Sequence, residues 1–206
     1  MERRGAVIIA VVTLEVISRA MYPYIGIDPL VYTLATRIAQ VIVIFAFAFT
    51  LSGVRARSVM AECTVGLVLS LAFGAGVLVT DGAFRLAFDR GLLPLLLRKE
   101  SMENALLFFF IGCVAAPFAE ELFFRGLFYS WLRQKFSVII AVIVSSLVFA
   151  SAHGAFSPVQ LIGGLVFAIV FEWRGSIWAP FVIHGLGNLG IWLVPHVYAL
   201  LGPGWW

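Results

Sequence analysis

Three ionisable residues, Glu120, Glu121 and Arg125, lie inside the otherwise apolar run VAAPFAEELFFRGLFYSW. A charged side chain deep in a bilayer costs about 2.5–3.5 kcal/mol on insertion scales, so such groups need partners or a polar cavity and are candidates for function. Glu121 and Arg125 are four residues apart and can pair on one helix face. Glu120 points about 100° away from Glu121 and is left for another partner. Pro117 favours a kink that would open space beside Glu120.

Two later apolar segments supply further polar side chains. His153 lies in VFASAHG, four residues after Phe149. His184 lies in FVIHGLGNLG and shares a helix face with Asn188, again four residues on. A glutamate, two histidines and an asparagine from three apolar segments predict a convergent polar site inside a helix bundle.

Simpler interpretations of the same residues stay open. The glutamate–arginine pair can be purely structural, and His153 can cap a helix end near the membrane interface. His184 and Asn188 can join neighbouring helices by hydrogen bonds, worth about 0.6 kcal/mol per contact. Glu120, His153 and His184 could also form a three-ligand zinc site, although nothing in their spacing selects for a metal.

The composition indicates an integral membrane protein. Hydrophobic residues make up 62% and charged residues 12% of the 206 residues, whereas soluble domains have roughly 25% charged residues. A chain of this length holds one polytopic bundle, so we assign residues 1–206 to a single transmembrane domain. The 14 Lys and Arg residues are scattered between apolar segments, which is typical of topology determinants and argues against a nucleic-acid partner.

The elements that must position the polar residues are membrane-spanning helices. Crossing a bilayer takes about 20 apolar residues, and on this basis the chain is predicted to be an all-α, polytopic transmembrane helix bundle of about seven spans. The segment 82–99 is shorter and more charged, which predicts an interfacial or re-entrant helix and leaves an eighth span open. The seven predicted spans are 5–22, 31–52, 62–80, 103–132, 136–153, 157–173 and 176–200. Charged residues near span ends are assigned structural roles: Glu15, Arg19, Asp28, Glu62 and Glu172.

The distribution of Lys and Arg predicts a cytoplasmic amino terminus, because alternate loops are basic while the loops at 23–30 and 154–158 contain neither residue. Helix lengths counted from the predicted span ends put Glu120 and His153 at mid-membrane or beyond it. The same count puts His184 closer to the cytoplasm. The sequence therefore predicts a site near mid-membrane and favours access from the outer face.

Three motifs occur in order on successive apolar segments: EELFFR fits E-E-x-x-x-R, FASAH fits F-x-x-x-H and HGLGN fits H-x-x-x-N. Together they resemble the CAAX-protease and bacteriocin-processing family (CPBP, also called Abi) of glutamic intramembrane endopeptidases. The resemblance covers a motif-bearing core at about residues 103–192. The first hundred residues match nothing beyond membrane spans.

The resemblance implies a role for each motif residue. Glu120 would act as general base and, with His153, activate a water that attacks the scissile carbonyl. His184 and Asn188 would stabilise the resulting oxyanion. No metal or other cofactor is implied. Supporting roles fall to three further residues: Glu121, Arg125 and Phe149.

The resemblance also implies a partner and a location. The expected substrate is a membrane-anchored, prenylated or leader-bearing protein, and the expected location is a prokaryotic inner membrane. The sequence indicates neither the cleavage motif nor an oligomeric state. A non-catalytic membrane scaffold, an immunity factor or a small transporter that uses the same polar cluster structurally is the alternative, although no internal symmetry typical of transporters is visible.

Overall fold

The computed structural model describes residues 3–47, 58–97, 104–153 and 158–202. Of these residues 88% are helical and none lies in a strand. The prediction of an all-α helix bundle is therefore confirmed.

Seven long helices and one short α-helix follow one another in the described residues, with a 3-10 turn at Tyr22–Tyr24 after the first. They are α1 (Arg3–Met21), α2 (Pro29–Phe47), α3 (Val59–Phe88), α4 (Leu93–Leu96), α5 (Ala105–Leu132), α6 (Val138–Ser151), α7 (Pro158–Arg174) and α8 (Trp178–Leu201). Each predicted span coincides with one long helix, and residues 48–52, 103 and 157 lie outside the described residues. By length and hydropathy, four helical segments of the described chain can cross a membrane: Arg3–Tyr24, Pro29–Phe47, Val59–Phe88 and Ala105–Leu132.

The structure differs from the prediction at residues 82–99. Instead of starting a separate helix, residues 82–88 continue α3, because Arg85 Nε donates to Asp81 Oδ2 at 2.8 Å on the same face. Asp89 ends α3 in the left-handed conformation, with φ 55°. The short α4 follows, and residues 98 and 99 lie outside the described residues.

Polar and proline residues fix where several helices begin. The Asp28 carboxylate accepts a hydrogen bond from Leu30 N at 2.8 Å, and Pro29 occupies the first turn of α2, where its missing N–H costs nothing. Ser58 and Ser137 cap α3 and α6 by accepting from backbone N–H groups three residues on. These caps satisfy N–H groups that a helix start would otherwise leave unpaired.

The bundle is arranged around the carboxyl-terminal half of α5. Its buried apolar side chains from Leu122 to Leu132 pack with apolar residues of α1, α2, α6, α7 and α8 in one core. A Cβ added to Gly185 in α8 would collide with the carbonyl oxygen of Cys113 in α5. The glycine therefore lets these two helices approach closely, and both carry motif residues.

Candidate active site

Helix α5 presents its two glutamates between two π-helical segments, at Phe109–Ala115 and Leu122–Tyr129. The intervening α-helical stretch, Ala116–Glu121, has Pro117 near its start. Because proline has no N–H to complete the regular ladder, the irregular turn before it lets the helix continue through residue 117. π-helical turns of this kind are frequent at functional sites.

Glu120 lies where three other helices or helix ends meet α5. Its Oε2 atom is 3.7 Å from His153 Nε2, just beyond α6, and 3.7 Å from His184 Nε2 on α8. Its other oxygen, Oε1, is 3.3 Å from Nη2 of Arg37 on α2. The two carboxylate oxygens thus face different groups.

Glu121 and Arg125 form the pair that their spacing allows, and both are fully buried. Arg125 Nη1 is 3.1 Å from Glu121 Oε1, and Arg125 Nη2 donates to the Gly164 carbonyl at 3.1 Å. The guanidinium also lies 4.9 Å from the centroid of the Phe149 ring and 5.2 Å from that of Phe167. Cation–π contacts of this kind gain strength when the cation is desolvated, so Arg125 ties α5 to α6 and α7.

Hydrogen-bond partners fix which nitrogen of each imidazole carries hydrogen in the neutral form. His153 Nδ1 lies 2.8 Å from the Phe149 carbonyl oxygen, and His184 Nδ1 lies 2.9 Å from Glu121 Oε1. Both partners only accept hydrogen bonds, so each Nδ1 donates. Each neutral ring therefore turns an Nε2 lone pair towards Glu120.

The Phe149 ring packs against both histidine rings. Its centroid is 4.5 Å from that of His153 and 5.5 Å from that of His184. On its other side, His184 stacks on Phe167 at 4.7 Å. These rings restrict the orientation of the imidazoles, which gives Phe149 a physical basis for its predicted supporting role.

Asn188 lies one turn beyond His184, but its contact is to the backbone of α5. Asn188 Nδ2 donates to the Gly112 carbonyl oxygen at 2.8 Å, inside the first π-helical segment. That bond uses one of the two amide hydrogens and fixes which edge of the side chain faces α5. Glu121, rather than Asn188, is the partner of His184.

Sequence reasoning missed Arg37, the third group at Glu120. Its sequence context contains a usable signal, because it is a single arginine inside the apolar segment of α2, PLVYTLATRIAQVIVIFAF. An ionisable residue at such depth is a candidate for function by default.

The zinc interpretation needs three donors directed to one point. Within the described ranges, no group of three or more His, Cys, Asp and Glu side chains is placed to hold a metal ion. The imidazole orientation is nevertheless one that metal ligands also adopt, with Nδ1 anchored and Nε2 free.

The fold and this cluster define a polytopic α-helical membrane protein with carboxylate, imidazole and amide groups gathered inside the bundle. Residues 102–190 match the family model of the Rce1-like proteins, described as type II CAAX prenyl endopeptidase Rce1-like. This segment, which contains all three motifs, is similar to the CAAX-protease family over less than half of the chain.

A curated protein shows a similarity of the same kind. The chain is 33% identical over 90 residues to the membrane-embedded CAAX protease MroQ of Staphylococcus aureus (strain USA300). The match covers 40% of this chain and 36% of that relative, so it spans little more than a third of the relative's length. No solved structure matches the chain. Arg37 and the helices α1 to α3 lie outside the segment that the family model matches.

Proposed function

We propose that the protein is a glutamic intramembrane endopeptidase that cleaves a peptide bond in a membrane-associated or lipid-anchored protein. The observation that carries the proposal is the placement of one carboxylate oxygen of Glu120 opposite two imidazole nitrogens, at 3.7 Å from each. These gaps are too long for direct hydrogen bonds and suit a bridging water molecule.

The proposed reaction is a hydrolysis in which Glu120 moves one proton. A water held by Glu120 and the His153 Nε2 lone pair gives a proton to Glu120 as its oxygen bonds to the scissile carbonyl carbon. The carbonyl becomes an oxyanion. When the C–N bond breaks, Glu120 returns the proton to the departing amine, which leaves a carboxyl group on the other product.

His184 and Asn188 are the proposed stabilisers of the oxyanion. Since His184 Nδ1 donates to Glu121, its Nε2 atom donates only when the ring carries a second proton. In this role His184 enters the step already doubly protonated, with Nδ1 on the Glu121 carboxylate, and keeps both protons throughout. Asn188 has a second amide hydrogen beyond the one given to Gly112, and such donors are worth more in a site that excludes water.

The substrate class follows from the membrane setting. A peptide bond must reach Glu120 inside the bundle, which favours a protein held at the bilayer by a prenyl group, another anchor or an apolar leader segment. The relative is named a CAAX protease, which makes a prenylated carboxyl-terminal motif the first substrate to test.

The test is cleavage by purified protein in lipid vesicles, measured by mass spectrometry. Three peptides are compared: a prenylated CAAX peptide, its unprenylated form and an apolar leader-bearing precursor. We expect the wild type to cleave at least one of them and Glu120→Gln to lose cleavage by 10²-fold or more, on the order of what removing general-base catalysis costs.

Glu172→Gln is the matched control. Glu172 also pairs with an arginine, Arg133 at 3.2 Å, but belongs to none of the three motifs. Cleavage should survive in this variant. Wild-type rates in folded Glu120→Gln protein would contradict the glutamic mechanism, and folded wild type that cleaves none of the peptides would favour the non-catalytic alternative.

A further inference from the structure

Arg37 approaches the proposed base from the side opposite the histidines. Its Nη2 atom lies 3.3 Å from Glu120 Oε1, whereas both imidazoles face Oε2. A cation at Oε1 limits rotation of the carboxylate plane. It therefore favours the orientation that presents Oε2 to His153 and His184.

Arg37 is itself held in place by two side chains of the amino-terminal helices. Its Nη1 atom donates to Glu15 Oε2 and to Gln40 Oε1, each at 2.7 Å. Gln40 Nε2 donates to the same Glu15 oxygen at 2.8 Å, which closes a three-residue network. Gln40 is buried, and Arg19 Nε holds the other Glu15 oxygen at 2.7 Å.

This network is organised before any substrate binds. A guanidinium with two fixed partners loses little further freedom when it also holds Glu120. Preorganised charges near a reacting group are a large source of catalytic stabilisation because they need not reorient during the reaction.

We propose that Arg37 is a positioning residue for Glu120, and that α1 and α2 thereby complete the active site. The proposal rests on the hydrolytic function proposed above. It assigns a role to helices that lie outside the matched segment 102–190. Arg37 acts through Glu120 rather than on the substrate, so its loss should slow the chemical step more than it weakens substrate binding.

A cavity beside Arg37 makes a direct chemical test possible. It has a volume of about 260 Å³ and lies between the end of α1 and the first turns of α2. A guanidinium ion is small enough to enter such a space once the arginine side chain is removed. The lining residues are Glu15, Ser18, Arg19, Tyr22, Pro29, Tyr32, Thr33, Thr36 and Arg37.

The first experiment compares Arg37→Gln and Arg37→Lys with the wild type on whichever peptide the wild type cleaves. We expect Arg37→Gln to lower kcat by about 10- to 100-fold, as small misplacements of a catalytic group do, with little change in KM. Arg37→Lys should recover part of that loss because it restores the charge without the planar geometry.

Arg174→Gln is the matched control for a purely structural effect. Arg174 joins α7 to Glu62 of α3 at 2.7 Å, and its side chain is 19% exposed, against 15% for Arg37. Loss of this ion pair removes a comparable contact between helices. The kcat of Arg174→Gln should stay near that of the wild type.

The second experiment adds millimolar guanidinium chloride, far below denaturing concentrations, to Arg37→Ala protein. We expect kcat to rise with guanidinium concentration and to saturate, with no rise for equal sodium chloride and none for Glu120→Gln. A structural role alone would not produce this rescue.

Each result decides the proposal. Equal losses in Arg37→Gln and Arg174→Gln, or Arg37→Ala that guanidinium does not rescue, would overturn it. So would a wild-type kcat in Arg37→Gln. If Glu120→Gln were active as well, the hydrolytic mechanism itself would be wrong, so the two failures can be told apart.

Discussion

At the residue scale, the arrangement around Glu120 bears on whether the site uses a metal. His153 and His184 each turn an Nε2 lone pair towards one carboxylate oxygen, and imidazole and carboxylate are also ligand types that zinc binds. The guanidinium of Arg37 lies only 3.3 Å from the other oxygen of that carboxylate. A divalent cation bound to Glu120 would be repelled by this charge, which favours a water activated without metal.

We therefore predict that cleavage survives metal removal. Treatment with o-phenanthroline should leave the rate of the purified protein unchanged, and elemental analysis should find less than stoichiometric zinc. One zinc per chain in the wild type that is absent from Glu120→Gln and His153→Ala would support the metal site instead.

The side-chain pairs that the sequence could predict are the local ones. The spacing of Glu121 and Arg125 predicted their contact, because a helix brings residues four apart onto one face. Arg37 and Glu120 are 83 positions apart in the chain, and no spacing rule predicts a contact between them. Similarly, Asn188 lies on the predicted face of α8, but its partner depended on how closely α8 approaches α5.

At the element scale, the close approach of α8 to α5 positions His184. Gly185 lies against the Cys113 carbonyl, where a side chain would not fit. About one turn later, Asn188 Nδ2 donates to the Gly112 carbonyl. His184 precedes Gly185 directly and reaches Glu121. A wider separation of the two helices would break both hydrogen bonds together.

We predict that Gly185→Ala destabilises the protein by about 1–3 kcal/mol, the typical cost of overpacking a core. The cleavage rate of this variant should also fall, since the added Cβ pushes α8 from α5 and moves His184 away from Glu121. Thermal unfolding in detergent and the cleavage assay measure the two effects.

Gly187→Ala is the control on the same helix, because an added Cβ there meets no atom within 4 Å. It should match the wild type in both assays. If Gly185→Ala did so too, the close contact between α5 and α8 would have no role in positioning His184.

The helical spans were predictable because long apolar runs and capping residues mark them in the sequence. The extension of α3 through residue 88 was not, because it depends on Asp81, which accepts from Arg85, from the Leu93 backbone and from Tyr198 of α8. These partners allow a carboxylate to be buried. The π-helical turns of α5 were also not predictable, since no composition rule marks them.

At the scale of the whole molecule, two contacts bear on the side from which substrate reaches the site. Arg19 Nη2, near the end of α1, donates to the Ala152 carbonyl at the end of α6 at 2.6 Å. The turn after α1, the end of α6 and the cavity next to Arg37 therefore lie towards one side of the bundle. The loop between α5 and α6 lies at the opposite end of α6.

The turn between α7 and α8 explains why counting residues put His184 and Glu120 at different depths although their side chains are neighbours. Ser176 and Ile177 are buried, and Gly175 has φ 63°. Three non-helical residues can cover up to about 10 Å, so α8 starts inside the bundle and not at its surface. His184 then reaches the depth of Glu120.

We predict that the side with the cavity faces outwards, because the basic loops favour a cytoplasmic amino terminus. Single cysteines replace Tyr24, which is 84% exposed in the turn after α1, and Lys135 in the α5–α6 loop. Cys63 and Cys113 are first replaced by alanine. An impermeant maleimide applied to intact cells should label position 24 and not position 135.

Permeabilised cells should show labelling at both positions, which controls for reactivity. Labelling of position 135 alone in intact cells would reverse the orientation and direct the cavity towards the cytoplasm.

The chain order of these contacts has a consequence for biosynthesis. Helix α5 enters the membrane before α6, α7 and α8 are made, so its three charges arrive without His153, His184 or the rings that later surround Arg125. Glu121 and Arg125 can neutralise each other within α5 itself. Arg37 belongs to a helix made earlier and is available to Glu120 from the start. Each charge of the nascent α5 can therefore be matched at insertion, when leaving one unmatched would cost about 2.5–3.5 kcal/mol.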